Sequence, residues 1–184
     1  ICYYHLRRLR KLRFILDSST MQRLVSALIL SRIDYCNAVL AGLPAVTLEP
    51  LQRVLNAAAR LVAGLGRYDH ITEVMKSLHW LPVAYRIKFK LCLLMHAVVN
   101  GQCPAYIDDI VTPTSTFSGH ANSRSTAMRV YDVPRVRTKF GERAFSVAGP
   151  KEWNALPLAL RNIVETPSFR RGLKSHLFKL AYDT

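Results

Sequence analysis

Acidic residues are scarce in this chain of 184 residues. Only 12 Asp and Glu residues stand against 26 Lys and Arg residues, so the formal net charge is +14 at pH 7. Such an excess costs self-repulsion in a compact protein, and a polyanion or an acidic neighbouring domain would offset it. Nucleic acid is the first partner that this charge indicates, and an anionic membrane surface is the second.

Long apolar runs are also missing. The most apolar segment, residues 83–99, is interrupted by Arg86, Lys88 and Lys90, and nowhere do about 18 apolar residues follow one another as a membrane span requires. The chain does not begin with Met, and its first residues lack the apolar core of a signal peptide. We therefore expect no membrane partner, and we interpret the chain as a fragment of a longer protein.

Cysteine is present without any metal-binding spacing. The four cysteines, Cys2, Cys36, Cys92 and Cys103, lie far apart, and no C-x-x-C or C-x-x-H pair occurs. Structural zinc sites usually need such pairs. We therefore expect no metal site, and we expect the thiols to be buried and free in a reducing compartment.

Half of the residues are hydrophobic, which is enough for a buried core, and most of them recur at helical spacing. The sequence predicts a mainly α fold, a bundle of about six to eight helices with a small irregular or short-hairpin C-terminal subdomain. The segment 112–128 is rich in Ser, Thr, Asn and Gly, which is typical of a loop. The predicted organisation is a helical region over 1–111, a polar linker loop over 112–128 and a basic C-terminal subdomain over 129–184.

Three helices can be outlined in the first third of the chain. Residues 2–16 alternate basic and apolar positions, which predicts a basic amphipathic helix. Ser19 followed by Gln22 suggests a capping box for a helix reaching residue 40. Thr47 is the predicted cap of a third helix, whose apolar residues form one stripe.

Residues 106–109 read Tyr-Ile-Asp-Asp, the box with which reverse transcriptases hold two metal ions. A polymerase palm places the adjacent aspartates on a strand turn and adds a third carboxylate from an earlier strand. Here Pro104 favours the first turn of a helix, and the only plausible upstream carboxylate, Asp34, also lies in a helical pattern. We therefore expect no catalytic residue in this chain, with Asp108 and Asp109 near a helix N-terminus.

The chain nevertheless resembles part of a retrotransposon protein. The motifs, in order, are SRIDYCNAVLAGLP, LQRVLNAAARLV, DHITEVMKSLHWLPVAYRIKFKL, TKFGERAFSVAGPKEWNALP and the terminal SFRRGLKSHLF. Together they resemble the region just downstream of the polymerase domain in non-LTR (LINE-type) retrotransposon reverse transcriptases of the jockey-like and chicken-repeat-like group. The similarity spans nearly the whole chain.

That resemblance carries several expectations. It implies that the chain begins after the palm, that residues 1–111 are thumb-like, and that Tyr106 and Asp109 align to a helical, non-catalytic segment. The function implied is a non-catalytic fragment of an RNA-directed DNA polymerase that binds or positions template RNA or DNA during target-primed reverse transcription. Partners would be the element RNA, an RNA–DNA hybrid or target DNA, and the upstream palm.

The resemblance also implies a cofactor and a location for the parent protein. The full polymerase would need Mg²⁺, whereas we expect no cofactor in this chain. The parent would reside in a cytoplasmic ribonucleoprotein and then in the nucleus.

Three basic clusters are the predicted nucleic-acid contacts, because Lys and Arg displace counterions from phosphates. Tyr131 and Phe140, which are interleaved with the last cluster, are the predicted surfaces for base stacking. The clusters are Arg7, Arg8, Arg10, Lys11 and Arg13 in the first helix, Arg53, Asn56 and Arg60 in the third, and Arg135, Arg137, Lys139 and Arg143 near the C-terminus.

Two other interpretations remain open from the sequence. The charged faces can simply meet solvent or a neighbouring domain, in which case the helices form a packing module for the palm without touching nucleic acid. The chain can also be an inactive genomic remnant. We expect His79 to be a packed, hydrogen-bonded residue, and Trp80 and Trp153 to anchor the core.

Overall fold

The computed structural model describes residues 1–66, 68–114 and 129–183. Helices dominate these residues and no β-strand occurs among them, which confirms the mainly α prediction. Three of the helices in the described ranges, Ser31–Asp34, Ala105–Asp108 and Leu158–Arg161, are single turns of four residues. The α-helices of the described ranges are α1 (Cys2–Leu12), α2 (Ser18–Val25), α3 (Ser31–Asp34), α4 (Ala45–Ala63), α5 (Thr72–Ser77), α6 (Val83–Val99), α7 (Ala105–Asp108), α8 (Phe145–Asn154), α9 (Leu158–Arg161) and α10 (Thr166–Tyr182).

The first two helices meet at a tight turn. Helix α1 ends at Leu12, earlier than predicted, and buries Leu6 and Leu9. The cap of α2 is Asp17 and not the predicted Ser19: its carboxylate accepts hydrogen bonds from the backbone N–H groups of Ser19 and Thr20, at 3.0 and 3.1 Å. Hydrogen bonding with Thr20 and Ser19 lowers the pKa of Asp17 well below its ordinary value. A charged N-cap of this kind satisfies donors that the helix itself leaves free.

Helix α2 continues through a π-helical turn, Ser26–Leu30, into α3. The helix predicted to reach residue 40 ends at Asp34, because Tyr35 is extended. Cys36 then has a left-handed backbone with φ 51°, and a 3₁₀ turn, Asn37–Leu40, follows. Cys36 is exposed, which contradicts the prediction that the thiols are buried. Cys92 does lie inside, and its burial raises the pKa of the thiol to about 12.

Helix α4 begins one turn earlier than expected. Its N-cap is Pro44, so Thr47 lies inside the first turn and does not cap the helix. The helix ends at Gly64, where φ is +75°. A left-handed residue at this position is a common helix stop, and glycine adopts it without the steric cost of a Cβ atom.

Helix α6 joins two buried clusters. Its first half, with Val83, Ile87 and Leu91, packs in a first core with α1, α2, the π turn and α4. Its second half packs in a second core with α8 and α10. Trp80 is buried in the first core and Trp153 in the second, as predicted.

Residues 129–143 have little regular structure. An isolated β-bridge pairs Tyr131 with Pro113. Trp153 donates its indole N–H to the carbonyl of Arg129 at 2.8 Å, and the Asn154 amide bonds both the N–H and the C=O of Tyr131. Side chains from both sides of the predicted linker share the second core, and the predicted domain boundaries stay a prediction; residues 115–128 lie outside the described ranges.

A buried histidine lies at the centre of the second core. The His96 ring stacks on Phe169 with centroids 4.1 Å apart, and its Nε2 lies 2.9 Å from the carbonyl oxygen of Ile163. Because a carbonyl only accepts, Nε2 carries the proton in this contact. Burial lowers the pKa of His96, although the Ile163 bond acts in the opposite direction.

None of the helices in the described ranges is long and apolar enough to cross a membrane.

Candidate nucleic-acid interface

The outer face of α1 carries four of the predicted cations. Arg7, Arg8, Arg10 and Lys11 are all exposed. The opposite side of the same helix is buried in the first core, which fixes the helix on the molecule. The cations form no ion pair with another described residue. The amphipathic pattern thus leaves this basic face open to a polyanion.

Aromatic side chains lie among these cations. Tyr3 and Tyr4 are about half exposed, and Phe14, just beyond the helix, is 94% exposed. The guanidinium of Arg8 lies 5.7 Å from the centre of the Tyr4 ring and donates to its hydroxyl at 3.4 Å. Exposed aromatic rings beside cations suit unpaired bases. The sequence-based prediction missed these residues, although the Tyr-Tyr pair ahead of the basic run was the available signal.

Arg13, the fifth cation of this cluster, has a different environment. Its guanidinium occupies the space beside Gly64, so close that a Cβ atom on Gly64 would overlap it. Gly64 ends α4, and the partial negative charge at a helix C-terminus favours a cation. Arg13 therefore links the turn after α1 to the end of α4.

On α4 the predicted contacts are engaged within the protein. Arg53 pairs with Glu49 at 2.6 Å. The Asn56 carbonyl accepts from the Gln52 amide at 2.8 Å, and Gln52 in turn accepts the backbone N–H of Val83 at 2.9 Å. Asn56 thus orients the side chain that caps the start of α6.

Arg60 lies nearer the C-terminus of α4. It is half-buried and donates to the carbonyl of Asp69 at 3.3 Å, while its Nε atom is buried without a hydrogen-bond partner in the described structure. The binding role predicted for the α4 cluster stays a prediction, and its residues are less available than those on α1.

The residues of the third cluster differ in their exposure. Arg135, Arg137 and Lys139 are exposed. Arg143 is half-buried, with its methylenes near Gly42 and its guanidinium 5.7 Å from the centre of the Phe140 ring.

The two predicted stacking residues also differ. Phe140 is 79% exposed, whereas Tyr131 is 8% exposed in the second core. Burial raises the pKa of the Tyr131 phenol. Its ring has no open face for a base, because the backbone of Tyr131 is held inward by Asn154.

A basic cleft that the sequence did not predict lies between α6 and α10. Its volume is about 570 Å³. The cations on its walls come from two helices far apart in sequence, which is why no local charge run indicates it. They are Arg86 and Lys90 on α6 and Arg170, Arg171 and Lys174 on α10.

Two lining residues of the basic cleft carry unpaired acceptors. Asp34 uses one carboxylate oxygen to bind Arg86 at 2.7 Å, but its other oxygen, Oδ1, has no partner among the described residues. The same holds for Oδ1 of Asn37, a residue only 3% exposed. A buried polar group without a partner costs about 1–3 kcal/mol of folding free energy. Each of these two oxygens is therefore an unsatisfied hydrogen-bond acceptor.

His79 lines the same cleft. It is exposed, contrary to the expected packed position, and its backbone is left-handed with φ 52°. Its ring lies 5.7 Å from that of Phe178 on α10. Non-glycine residues in this region are strained, and such strain is often found at binding sites.

The Tyr-Ile-Asp-Asp box lies on a helix. Tyr106 and Asp108 belong to the one-turn helix α7, which follows Pro104. Asp108 lies in its first turn as predicted, whereas Asp109 is its C-cap and not a residue near its N-terminus. Asp34, the only upstream candidate for a third carboxylate, is bound to Arg86. The described ranges contain no group of three His, Cys, Asp or Glu residues that could hold a metal ion.

An apolar groove runs beside that box. Its volume is about 520 Å³, and its walls include Val39, Leu94, Tyr106, Ile110 and Phe140. Four of these five side chains are 48–79% exposed. The groove is a second surface on which another molecule could rest.

No family model, no curated protein and no solved structure matches this chain.

Proposed function

We propose that this chain is a non-catalytic nucleic-acid-binding module that grips the phosphate backbone with little sequence discrimination. The single observation that carries the proposal is the outer face of α1. Arg7, Arg8, Arg10 and Lys11 are exposed there beside Tyr3 and Tyr4, on a helix anchored by its opposite side. Cations in this arrangement release counterions from nucleic acid, and the rings can stack on unpaired bases.

The parent protein that we propose is a non-LTR retrotransposon reverse transcriptase, on the strength of the motif resemblance. In that setting the module would hold the element RNA, the RNA–DNA hybrid or the target DNA near the palm during target-primed synthesis. The Mg²⁺ chemistry would belong to the palm. The location would be that of the parent, a cytoplasmic ribonucleoprotein and then the nucleus.

The second candidate function is packing against the palm without contact to nucleic acid. The observation in its favour is the apolar groove, where Val39, Tyr106, Ile110 and Phe140 expose large hydrophobic surfaces. Exposed apolar patches of this kind suit a protein partner. The third interpretation, an inactive genomic remnant, predicts binding neither to nucleic acid nor to a palm.

A salt titration tests the first function against the second. Fluorescence anisotropy would follow binding to a structured RNA, a DNA duplex and single-stranded DNA. The interface variant is Arg7→Glu/Arg8→Glu/Arg10→Glu. The matched control, Arg23→Glu/Arg32→Glu/Lys179→Glu, changes the same charge at three other exposed positions.

We expect steep weakening of wild-type binding with salt, and a flatter slope for the interface variant than for the control. Circular dichroism would verify that both variants remain helical. Weak binding by a folded wild-type protein, with no dependence on salt, would reject the proposal in favour of the packing module. Equal losses in the two variants would show that only net charge matters and that α1 is not the interface.

A further inference from the structure

The basic cleft has the cation arrangement of a phosphate site. Arg170, Arg171 and Lys174 lie on α10 at spacings that place them on neighbouring parts of one helix surface, and Lys90 faces them from α6. All four are exposed, and none forms an ion pair with another described residue. Only Arg86 of the lining cations is neutralised, by Asp34. The cleft therefore retains a strong positive charge.

Two hydrogen bonds hold the walls of the cleft together. The Tyr182 hydroxyl donates to the carbonyl of Trp80 at 2.6 Å, and the Tyr85 hydroxyl donates to that of Leu180 at 2.8 Å. Both bonds connect α10 with α6 or with the turn before it. The helix backbones that carry the cations are consequently held at a set separation, which reduces the part of the ordering cost of binding that comes from the helices.

The size of the cleft selects a small ligand. A volume of about 570 Å³ falls within the usual range for sites that enclose one small molecule. A double helix presents its phosphates on a broad outer surface and cannot enter such a cleft. A single strand can place one unpaired nucleotide in it.

The inner wall suits a base better than a bare phosphate. Phe89 and His79 provide ring surfaces, and Leu81 and Leu93 provide apolar contact. Oδ1 of Asn37, in the wall of the cleft, has no hydrogen-bond partner among the described residues. Because that oxygen is buried, the fit to a base rests on the two rings and the apolar side chains, which line the cleft.

We propose that the cleft between α6 and α10 binds one unpaired nucleotide of a single-stranded nucleic acid. Lys90, Arg171 and Lys174 hold its phosphates, and its base lies against His79 and Phe89. This inference rests on the proposed nucleic-acid-binding function and adds to it a second, strand-selective site. The α1 face binds phosphates of either single or double strands, whereas the cleft accepts only an unpaired nucleotide.

The test uses the full chain and three labelled probes of equal length: single-stranded RNA, single-stranded DNA of the same sequence, and the DNA duplex. The cleft variant is Arg171→Ala/Lys174→Ala. The matched control, Arg23→Ala/Arg32→Ala, removes two exposed cations that do not line the cleft. Anisotropy at several salt concentrations gives both the affinity and its salt slope.

We expect the cleft variant to lose about tenfold in single-strand affinity, with a salt slope smaller by about 1.4, since each phosphate contact on a single strand contributes about 0.7. Its duplex affinity should change no more than that of the control. Comparison of the RNA and DNA strands shows whether a 2′-hydroxyl contributes.

The possible failures can be told apart. If wild type binds none of the probes in a salt-dependent way, the proposed function fails and the cleft site fails with it. If wild type binds but the cleft variant equals the control on every probe, the cleft inference alone is overturned. Competition with inorganic phosphate and with nucleoside monophosphates adds a further criterion, because equal competition would overturn the contact with the base.

His79 offers an independent check, because its backbone strain affects thermal stability and its ring affects single-strand binding. His79→Gly relieves the left-handed backbone and removes the ring, so we expect a higher thermal midpoint together with weaker single-strand binding. His79→Tyr keeps a ring and should keep the affinity. Unchanged single-strand affinity in His79→Gly would remove His79 from the site.

Discussion

Helices α1 and α4 both carry arginines that the sequence assigned to nucleic acid, yet they differ in how those residues are used. On α1, Arg7, Arg8 and Arg10 are exposed without an ion pair among the described residues. On α4, Arg53 is paired with Glu49 and Arg60 with the carbonyl of Asp69. A basic residue is available to a polyanion only where the fold supplies no nearer acceptor.

The difference between the two helices has a local cause, the spacing of acidic residues, and a tertiary cause, the packing of α4. No acidic residue precedes Asp17, so α1 has no carboxylate one turn away from its arginines. Helix α4 has Glu49 four residues before Arg53, the spacing that brings two side chains together on a helix. Helix α4 also lies between α1 and α6 in the first core, which draws Asn56 into a hydrogen-bond chain with α6.

We expect the largest effect on nucleic-acid affinity when the charge of one helix at a time is reversed. Arg7→Glu/Arg8→Glu/Arg10→Glu should weaken duplex binding about a hundredfold and reduce the salt slope by about 2.7, at 0.9 for each lost phosphate contact. Arg53→Glu/Arg60→Glu should cost less than about tenfold, because these arginines already have partners within the protein. Anisotropy titrations measure both, and equal losses per charge would erase the contrast between the helices.

The junction of the two helices gives the next largest effect. Gly64→Ala places a Cβ atom on a residue with φ +75° and against the guanidinium of Arg13. We expect unfolding to become easier by about 1–2 kcal/mol, the usual cost of a left-handed L-residue. Urea denaturation measures the change, and Gly64→Asn should cost less because asparagine tolerates this conformation. A neutral Gly64→Ala variant would contradict the strain argument.

A pH scan separates the interface from the core. Burial lowers the pKa of His96 in the folded protein, so the unfolded chain binds more protons as pH falls below the ordinary histidine value of 6.5. The contribution of His96 to stability should therefore be fully present near neutral pH and decrease progressively as pH falls below 6.5. Urea midpoints of wild type and His96→Gln measure it, and an equal decrease in both would assign the effect to other groups.

The same scan provides a control for α1. Arginine stays charged over this whole range, so the affinity of the α1 face should hold wherever the fold is intact. The affinity should be measured at a temperature far below the unfolding midpoint. If it still decreases with pH over the range in which stability decreases, a titrating group contributes to the interface.

Asn56 tests whether α4 serves structure more than binding. Asn56→Ala frees the Gln52 amide, and the loss should be about 1 kcal/mol of stability with little change in nucleic-acid affinity. A double-mutant cycle with Gln52→Ala should be strongly non-additive, since one variant already disrupts the cap of α6. Additive losses would mean that the two amides act separately.

The smallest expected effect is at the exposed ion pair on α4. The side chains of Arg53 and Glu49 are 66% and 50% exposed, and pairs of this kind contribute no more than about 1 kcal/mol. Glu49→Ala should scarcely change stability, but it frees Arg53 and should strengthen nucleic-acid binding slightly if α4 contributes at all. No gain in affinity at low salt would leave α1 as the stronger of the two faces.

Much of this molecule could be predicted from local sequence. Apolar residues at helical spacing predicted α1, α4, α6 and α10, because one buried face is the main condition for a stable helix in a folded protein. The basic face of α1 followed directly from its run of cations. Pro104 likewise placed the Tyr-Ile-Asp-Asp box on a helix, where its two aspartates are exposed.

Helix ends were less predictable. Ser19 and Thr47 both looked like caps, but Asp17 and Pro44 occupy those positions. Several polar residues in a row can each satisfy the first free N–H groups, and the path of the preceding chain decides among them. The end of the helix at Asp34 has no local signal in the sequence.

Tertiary structure alone decided which polar residues are available and where distant ones meet. Tyr131 lies in a basic stretch but is held inward by Asn154, while Lys90 and Lys174 meet across a cleft although 84 residues separate them in sequence. Side-chain periodicity reports only which face of a helix is apolar. Which helix covers that face, and hence which cations share a cleft, depends on packing between segments that no local pattern encodes.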